Sequence, residues 1–423
     1  MKQNKNSQNH VLPIIIMFAL FFMIAFVTGY QNPLGSVIKN MTEGNPIMSQ
    51  LGNFANFIAY AFMGYPAGLI LQKLGYRVTA LAAVTVGFTG VLITFLSGID
   101  GNVTIYLIGA FVSGFSMCML NTVVNPMLNS LGKNENQGNQ LVQFGGACNS
   151  LGATLAPAVV GYLMGDAANN ISDANPVFYL AMAIFAAAFV VIYFSKLPEA
   201  PDFGIRKEKI ASSGAFMFRN FTFGVVAIFL YVGIEVGIAN ISLQYMSDGL
   251  GLSNATAGAI VGIYWLLMLV GRLVGGSIGA KVSSRVMLSV VSAIGLVFVA
   301  LAINMPENVT FDMLGIENKG GFSFITQQVP MSVLFLILCG LCTSVMWGSI
   351  FNLSVFGLGK YTQVASGIFM IMVCGGGILP LLQGWLVGET SYLASFWLIF
   401  GALCYLLFYA LIGSKTKKLA KVN

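Results

Sequence analysis

Twelve apolar stretches follow one another along the chain, separated mostly by short polar connections. About 20 apolar residues is the length a helix needs to cross the ~30 Å hydrocarbon core of a bilayer. In hydrocarbon each backbone N–H and C=O must be satisfied within the protein, which leaves helices as the solution for such stretches. Charged residues make up 8% of the chain and hydrophobic ones 57%, whereas a soluble domain carries about 25% charged residues. The stretches run over about 11–38, 51–72, 78–97, 103–131, 140–164, 175–196, 217–246, 254–280, 285–304, 330–356, 361–386 and 390–413. Residues 1–10 are polar and lack a signal-peptide cleavage pattern, and 11–38 is too long for a signal's apolar core. The first stretch is therefore read as a true span. The expected fold class is an all-α membrane protein with twelve transmembrane helices.

Charge placement sets the expected orientation. Of the 20 Lys and Arg, Lys39 and Lys319 fall in odd-numbered connections and Arg272 well inside a span; the rest belong to the termini and the even-numbered connections, counting the span ends that border them. The positive-inside rule then puts both termini and the central connection in the cytoplasm. The expected location is the plasma membrane, a bacterial inner membrane, crossed many times. With no basic domain outside the bilayer, nucleic acid is not expected as a partner.

The longest cytoplasmic connection, Ser195–Phe216, carries Pro198, Pro201 and the Arg206–Lys209 charge run, read as a solvated face. It divides the spans six and six: an N-terminal half over 1–196, a linker over 197–216 and a C-terminal half over 217–423. The halves share a weak repeat. Span two closes with Gly64–Arg77 and span eight with Gly271–Arg285, each placing small residues four apart before a basic turn. Small residues at that spacing let helices approach closely, and Arg77 in the turn suits the negative ends of neighbouring helices. Two six-helix halves with related turns are the plan of the major facilitator fold, whose site lies at the midplane between halves. The ninth-to-tenth connection, Pro306–Gln328, is read as a plain solvated loop, with a partial lid as the alternative.

The six cysteines all fall in apolar runs and are read as reduced packing residues, Cys339 and Cys342 included. His10 is the only histidine. No His-based zinc site or catalytic triad can be assembled, so neither an enzyme nor a resident metal or cofactor is expected.

Polar groups inside the spans carry the functional information. Asn121 and Asn125 are four apart and share a helix face, and Pro126 follows at once. Gln31, Asn32 and Pro33 stand in the outer part of span one. The two prolines are expected to make spans one and four discontinuous, freeing carbonyls for a polar solute. In span five, Gln143 and Ser150 lie on nearly one face, while Asn149 points elsewhere, a position suited to joining helices.

Tyr231, Glu235 and Ser242 form a stripe on span seven. Glu235 lies about 21 Å along the helix from Phe221, just outside the middle of the core. It is the sole carboxylate inside the spans as drawn. It is read as a proton carrier, a cation ligand or an acceptor for sugar hydroxyls, with a structural partnership to Arg272 as the competing reading. Arg272 is expected in the cytoplasmic half of span eight, in gating or helix-end contact, with substrate contact as the alternative.

Aromatics with polar tips, among them Tyr30, Tyr65, Tyr264, Trp265 and Trp347, suit the C–H face of a sugar. Asn352 is placed near mid-depth in span ten. A phosphate or carboxylate substrate would need buried cations beyond Arg272, so amides, one acid and aromatics favour a neutral monosaccharide. Gly375, Gly376 and Gly377 with Pro380 cannot make a stiff helix. They are read as a hinge for alternating access, with close packing as a compatible alternative.

Several segments together resemble the fucose/glucose–galactose permease family of the major facilitator superfamily: Tyr65–Tyr76, Asn125–Gly132, Leu141–Gly152, Ile350–Leu353 and Gly375–Pro380. Tyr231-Val-Gly-Ile-Glu235 looks like the span-seven pattern of the glucose/galactose branch. The resemblance implies a sugar carrier, and Gln143 matches a sugar-contacting amide of the family. Its members usually show an Asn-Asp pair in span one, and the proton-coupled fucose members a Glu in span four. Those positions here are Gln31-Asn32 and Asn121, so both acids are replaced by amides, which cannot carry a proton.

The expected function is alternating-access transport of a neutral hexose-like sugar. Asn32, Asn121, Asn125 and Gln143 hold its hydroxyls from the first half, and Tyr231, Glu235, Trp347 and Asn352 close the site from the second. Arg77, Arg272 and Gly375–Gly377 are the gating candidates. Coupling to co-transported H⁺ or Na⁺ would pass through Glu235; uncoupled facilitation is the alternative. The expected partners are the sugar and the bilayer, with the carrier a monomer. A drug or metabolite exporter of the same fold and a transport-dead sugar sensor are the rival functions.

Overall fold

The computed structural model describes residues 11–42, 45–132, 135–165, 169–195, 197–198, 212–278, 282–317, 323–358 and 362–415. The first six spans are built from α1 (Val11–Gly29), α2 (Gln31–Met41), α3 (Pro46–Asp100), α4 (Val103–Leu131), α5 (Glu135–Met164) and α6 (Asn175–Phe194). The last six follow from α7 (Arg219–Gln244), α8 (Asn254–Ile278), α9 (Ser284–Asn304), α10 (Met331–Thr343), α11 (Met346–Val355), α12 (Thr362–Met372), α13 (Gly375–Glu389) and α14 (Tyr392–Phe408). Among the described residues, twelve helical segments are long and apolar enough to cross a membrane, as the hydropathy pattern predicts. An even number of crossings brings residues 11 and 413 to one face; the opposite face is called distal below. The Arg206–Lys209 charge run lies outside the described residues.

The breaks between spans have local causes. Spans two and three run on as α3, and Gly75 takes φ 79° and ψ 177° at the turn between them. Only glycine adopts that conformation without strain. On the distal side Gly101 (φ 63°) ends α3, and the Asn102 side chain caps α4 by accepting from the backbone N–H groups of Thr104 at 2.9 Å and Ile105 at 3.2 Å. Span one is interrupted at Tyr30, between α1 and α2, three residues before Pro33. Span eleven breaks between α12 and α13, immediately before the three glycines.

Span four departs from expectation. α4 continues through Pro126 as one helix to Leu131. A proline removes one backbone donor and leaves the Thr122 carbonyl, one turn earlier, without its helical partner, while amides brace the turns before it. Asn125 Nδ2 donates to the Asn121 carbonyl at 2.9 Å and Asn121 Nδ2 to the Met117 carbonyl at 3.1 Å. These bonds add to the turns before Pro126 and do not replace its donor; one lost bond is too local to divide the helix.

The connection read as a plain loop is also different. Thr310–Glu317 (β1) and Ser323–Pro330 (β2) pair antiparallel, in register from Thr310 opposite Pro330 to Glu317 opposite Ser323. β1 rests on α8, where Gly315 faces Thr256. The pattern is present in the sequence: Phe311, Phe324, Ile325, Thr326 and Val329 flank Gly320-Gly321, two β-prone runs about a glycine pair.

Lipid is as apolar as leucine, so helix association rests on close packing rather than on escape from water. At Gly340 a Cβ would overlap the Tyr264 carbonyl, so α8 and α10 touch backbone to backbone. Large apolar side chains such as Ile99, Phe194 and Val190 face outward, as a bilayer-facing belt requires. The two halves meet where α5 packs on α8 and where α3 packs on α13.

Candidate functional site

Arg272 is the junction of the second half with the first. Its Nη1 donates to the Gly146 carbonyl at 2.6 Å and to Ser150 Oγ at 2.9 Å, both on α5. Its Nη2 stands 3.6 Å from Glu235 Oε1 on α7. The two charged side chains are 12% and 14% exposed. A guanidinium this deep persists because a carboxylate offsets its charge and α5 supplies acceptors. The structural partnership weighed for Glu235 is therefore present, and so is a contact between halves at Arg272.

Tyr264 locks the acid's backbone in place. Its hydroxyl lies 3.1 Å from the Glu235 carbonyl, to which it donates, and 3.1 Å from Thr343 Oγ1 on α10. Tyr231, one turn before Glu235, is fully buried, with its ring centroid 6.1 Å from that of Trp347 on α11. The Tyr231 hydroxyl lies near the Glu235 carboxylate without a well-formed hydrogen bond to the protein. Tyr231, Glu235, Trp347 and Arg272 thus form one assembly of acid, cation and aromatics.

Asn352 stands apart from it. Trp347 and Asn352 are five residues apart, about 140° around a helix, and Asn352 is exposed near the end of α11. In the first half, Asn121 also donates to the Tyr60 hydroxyl at 3.1 Å. Asn121 and Asn125 are half-buried on α4, as their shared face predicts. Gln31 turns inward: its Oε1 accepts from the Tyr106 hydroxyl at 2.6 Å. The side chains of Asn32 and Gln143 lie outside the described residues. Ser150 is where span five enters the site, and Asn149 donates to the Phe21 carbonyl at 3.0 Å, joining α5 to α1.

The gating candidates divide. Arg77 donates to the Tyr193 carbonyl at the end of α6, with its guanidinium 5.9 Å from the Tyr193 ring. The triple glycine lies at a crossing of helices. A Cβ on Gly375 would overlap the Phe229 carbonyl of α7, and on Gly377 it would stand 2.9 Å from the Phe54 Cα of α3. Helix break and close packing therefore coincide there.

Sequence reasoning left the distal seam unassigned. Lys39 pairs with Asp248 at 2.8 Å and donates to the Tyr392 hydroxyl at 3.1 Å. Just inside this rim, Gln244 Nε2 donates to Ser49 Oγ at 2.7 Å and Asn240 Nδ2 to Gln50 Oε1 at 3.2 Å. One turn deeper, Asn53 Nδ2 donates to the Gly376 carbonyl at 2.8 Å. The four-residue spacing that marks Asn121 and Asn125 also marks Asn240 and Gln244, and would have found them.

Residues 16–316 match the family model described as Major Facilitator Superfamily. The chain belongs to the Major Facilitator Superfamily. Within this superfamily it is 28% identical over 427 residues to a glucose/galactose transporter of Brucella abortus, covering 98% of this chain and 97% of that protein. It is 20% identical over 431 residues to the L-fucose-proton symporter of Escherichia coli, covering 96% and 93%. A crystal structure of the Escherichia coli fucose:proton symporter superposes with a TM-score of 0.69 at 17% identity, covering 97% of this chain and 100% of that one. These relatives belong to the group that the span motifs resemble, and the structural likeness establishes the major facilitator fold.

Proposed function

We propose that this protein carries a neutral hexose-like sugar across a bacterial inner membrane by alternating access of its two halves. The observation that carries this reading is the Glu235–Arg272 pair at the seam between halves, beside the Tyr231–Trp347 aromatic pair. Aromatic faces suit the C–H surface of a pyranose, and a fixed acid suits its hydroxyls. The relatives named as glucose/galactose and fucose transporters support the same substrate class.

Asn121 and Asn125 contribute hydroxyl contacts from α4, and Asn32 and Gln143 complete the first-half side. Arg272 and the glycines at 375–377 act in gating, since both stand where the halves touch. Arg77 keeps a supporting place at the turn between spans two and three. The basic termini and even-numbered connections put both ends of the chain in the cytoplasm. One chain carries both halves of the site, so the monomer is the working unit.

Coupling, if driven by H⁺ or Na⁺, passes through Glu235. The test is uptake of labelled D-glucose and D-galactose into proteoliposomes under no gradient, a proton gradient and a sodium gradient. Counterflow of at least one hexose is expected. Binding without counterflow would make the protein a sensor, and no sugar effect of any kind would remove the reading. Where a gradient drives accumulation, Glu235→Gln is expected to abolish it while leaving exchange measurable; without coupling the carrier is an uncoupled facilitator.

A further inference from the structure

The distal seam has more hydrogen-bonding capacity than it uses to close. Its cross-seam bonds are mostly neutral: Gln244 to Ser49, Asn240 to Gln50 and Asn53 to the Gly376 carbonyl. Yet Asn240 Oδ1 and Gln244 Oε1 are buried without a hydrogen-bond partner in the protein. Gln383 on α13 goes further, with both Oε1 and Nε2 buried and unpartnered. Its Oε1 occupies the space a Cβ on Gly237 would fill, one turn before Asn240 on α7. These three residues are 3%, 2% and 0% exposed.

An unsatisfied buried amide costs stability that an apolar side chain of the same shape would not. A seam needed only for closure would use amides whose groups are all paired across it, with none left over. When the halves meet, Asn240 faces Gln50 and Gln244 faces Ser49; when they part, these amides must face something else. A neutral polyol matches them: each hydroxyl both donates and accepts, as each amide does. The cation at the rim, Lys39, is already paired with Asp248, and the four amides are uncharged, which favours a neutral occupant over an anion.

We propose that Gln50, Asn240, Gln244 and Gln383 form a second, outer hydroxyl-binding subsite, which a sugar occupies as the halves part and which helps select the hydroxyl pattern that passes. This rests on the sugar-carrier reading above. Gln50, Asn240 and Gln244 exchange their cross-seam partners for the sugar and Gln383 adds groups unpartnered in the closed seam, which links opening of the distal seam to arrival of a substrate with hydroxyls in the right places.

The test measures competition by 2-, 3-, 4- and 6-deoxy analogues against labelled D-galactose and D-glucose in proteoliposomes. The variants are Asn240→Leu with Gln244→Leu, Gln244→Met alone, and Gln383→Met. Discrimination against at least one deoxy analogue is expected to fall about ten-fold in the double variant, the scale of one lost hydrogen bond in a buried setting. Gln383→Met is expected to lower discrimination while raising the melting temperature by roughly 1–3 °C, because it removes two unpartnered buried groups. Should the double variant not fold, the two Met variants supply the same ratios. Transport that slows equally for every analogue, with the ratios unchanged, would reduce the amides to structural seam residues and overturn the proposal. Wild-type protein that moves neither hexose would instead overturn the carrier reading.

Discussion

Arg272 belongs to the second half, yet both hydrogen bonds of its Nη1 go to the first, to the Gly146 carbonyl and Ser150 Oγ, while Nη2 stands 3.6 Å from Glu235. One side chain therefore joins three helices and two halves. The carboxylate does not reach α5 by this route; it offsets the charge of the group that does. Removing either partner of a buried pair leaves the other uncompensated, which costs more than the pair contributes.

The consequence is a non-additive pair of variants. Glu235→Gln and Arg272→Gln are each expected to destabilise the protein by about 1–3 kcal/mol, toward the lower side for a separation this loose. The double variant should lose clearly less than the sum. Thermal unfolding of the purified protein in detergent reads all three. Strict additivity would mean that the two side chains do not interact.

At the distal rim the same logic gives a smaller effect. Lys39 and Asp248 are paired at 2.8 Å but partly exposed, at 12% and 25%. Such a pair is worth about 0–1 kcal/mol and is screened by salt. Asp248→Asn should leave the melting temperature nearly unchanged, yet raise labelling of a Ser49→Cys variant by an impermeant thiol reagent about two- to five-fold. High salt should produce part of that rise in the parent protein. Labelling that is indifferent to both would separate the rim from seam opening.

The triple glycine yields a packing prediction. Gly375→Ala sets a methyl group against the Phe229 carbonyl, where backbone cannot yield as a side chain can. About 1–3 kcal/mol of destabilisation is expected, with loss of transport. Gly401→Ala on α14 is the control: nothing lies within 4 Å of its Cβ position, and alanine is the better helix former by up to about 1 kcal/mol. Equal effects at the two positions would argue against close packing at Gly375.

The contrast between these residues shows how far the sequence could be read. Span number follows from hydropathy, because each span must satisfy its own backbone in lipid regardless of its neighbours. Glu235 was legible for the same reason: an acid inside a span is costly wherever the helices go. Its position beside Arg272 needs only adjacent spans, and the sequence reading weighed that pairing. Gln244 and Ser49 are 195 residues apart, and no local pattern pairs them. Pro126 does not interrupt span four because a single missing N–H is a local loss within a helix that is otherwise intact. The paired strands at Thr310–Glu317 and Ser323–Pro330 lie between spans, where the hydropathy that marks the helices carries no signal.

Asn220 shows a side chain whose role only the tertiary structure reveals. It is buried at the start of α7, and its Nδ2 lies 2.9, 3.1 and 3.0 Å from the carbonyls of Leu353, Ser354 and Phe356. Those are carbonyls at the end of α11, where a helix runs out of its own donors. A single amide thus closes α11 and ties span ten to span seven, while the Asn220 carbonyl accepts from the Tyr409 hydroxyl at 3.1 Å. Asn220→Leu removes the donor and leaves these carbonyls short of a partner, at an expected cost of about 1–3 kcal/mol. Asn220→Asp preserves size but turns an acceptor toward three acceptors, so it should cost more than the leucine change despite being the closer isostere. Thermal unfolding of the two variants checks that order, and an aspartate variant as stable as the parent would show that donation from Nδ2 does not hold the end of α11.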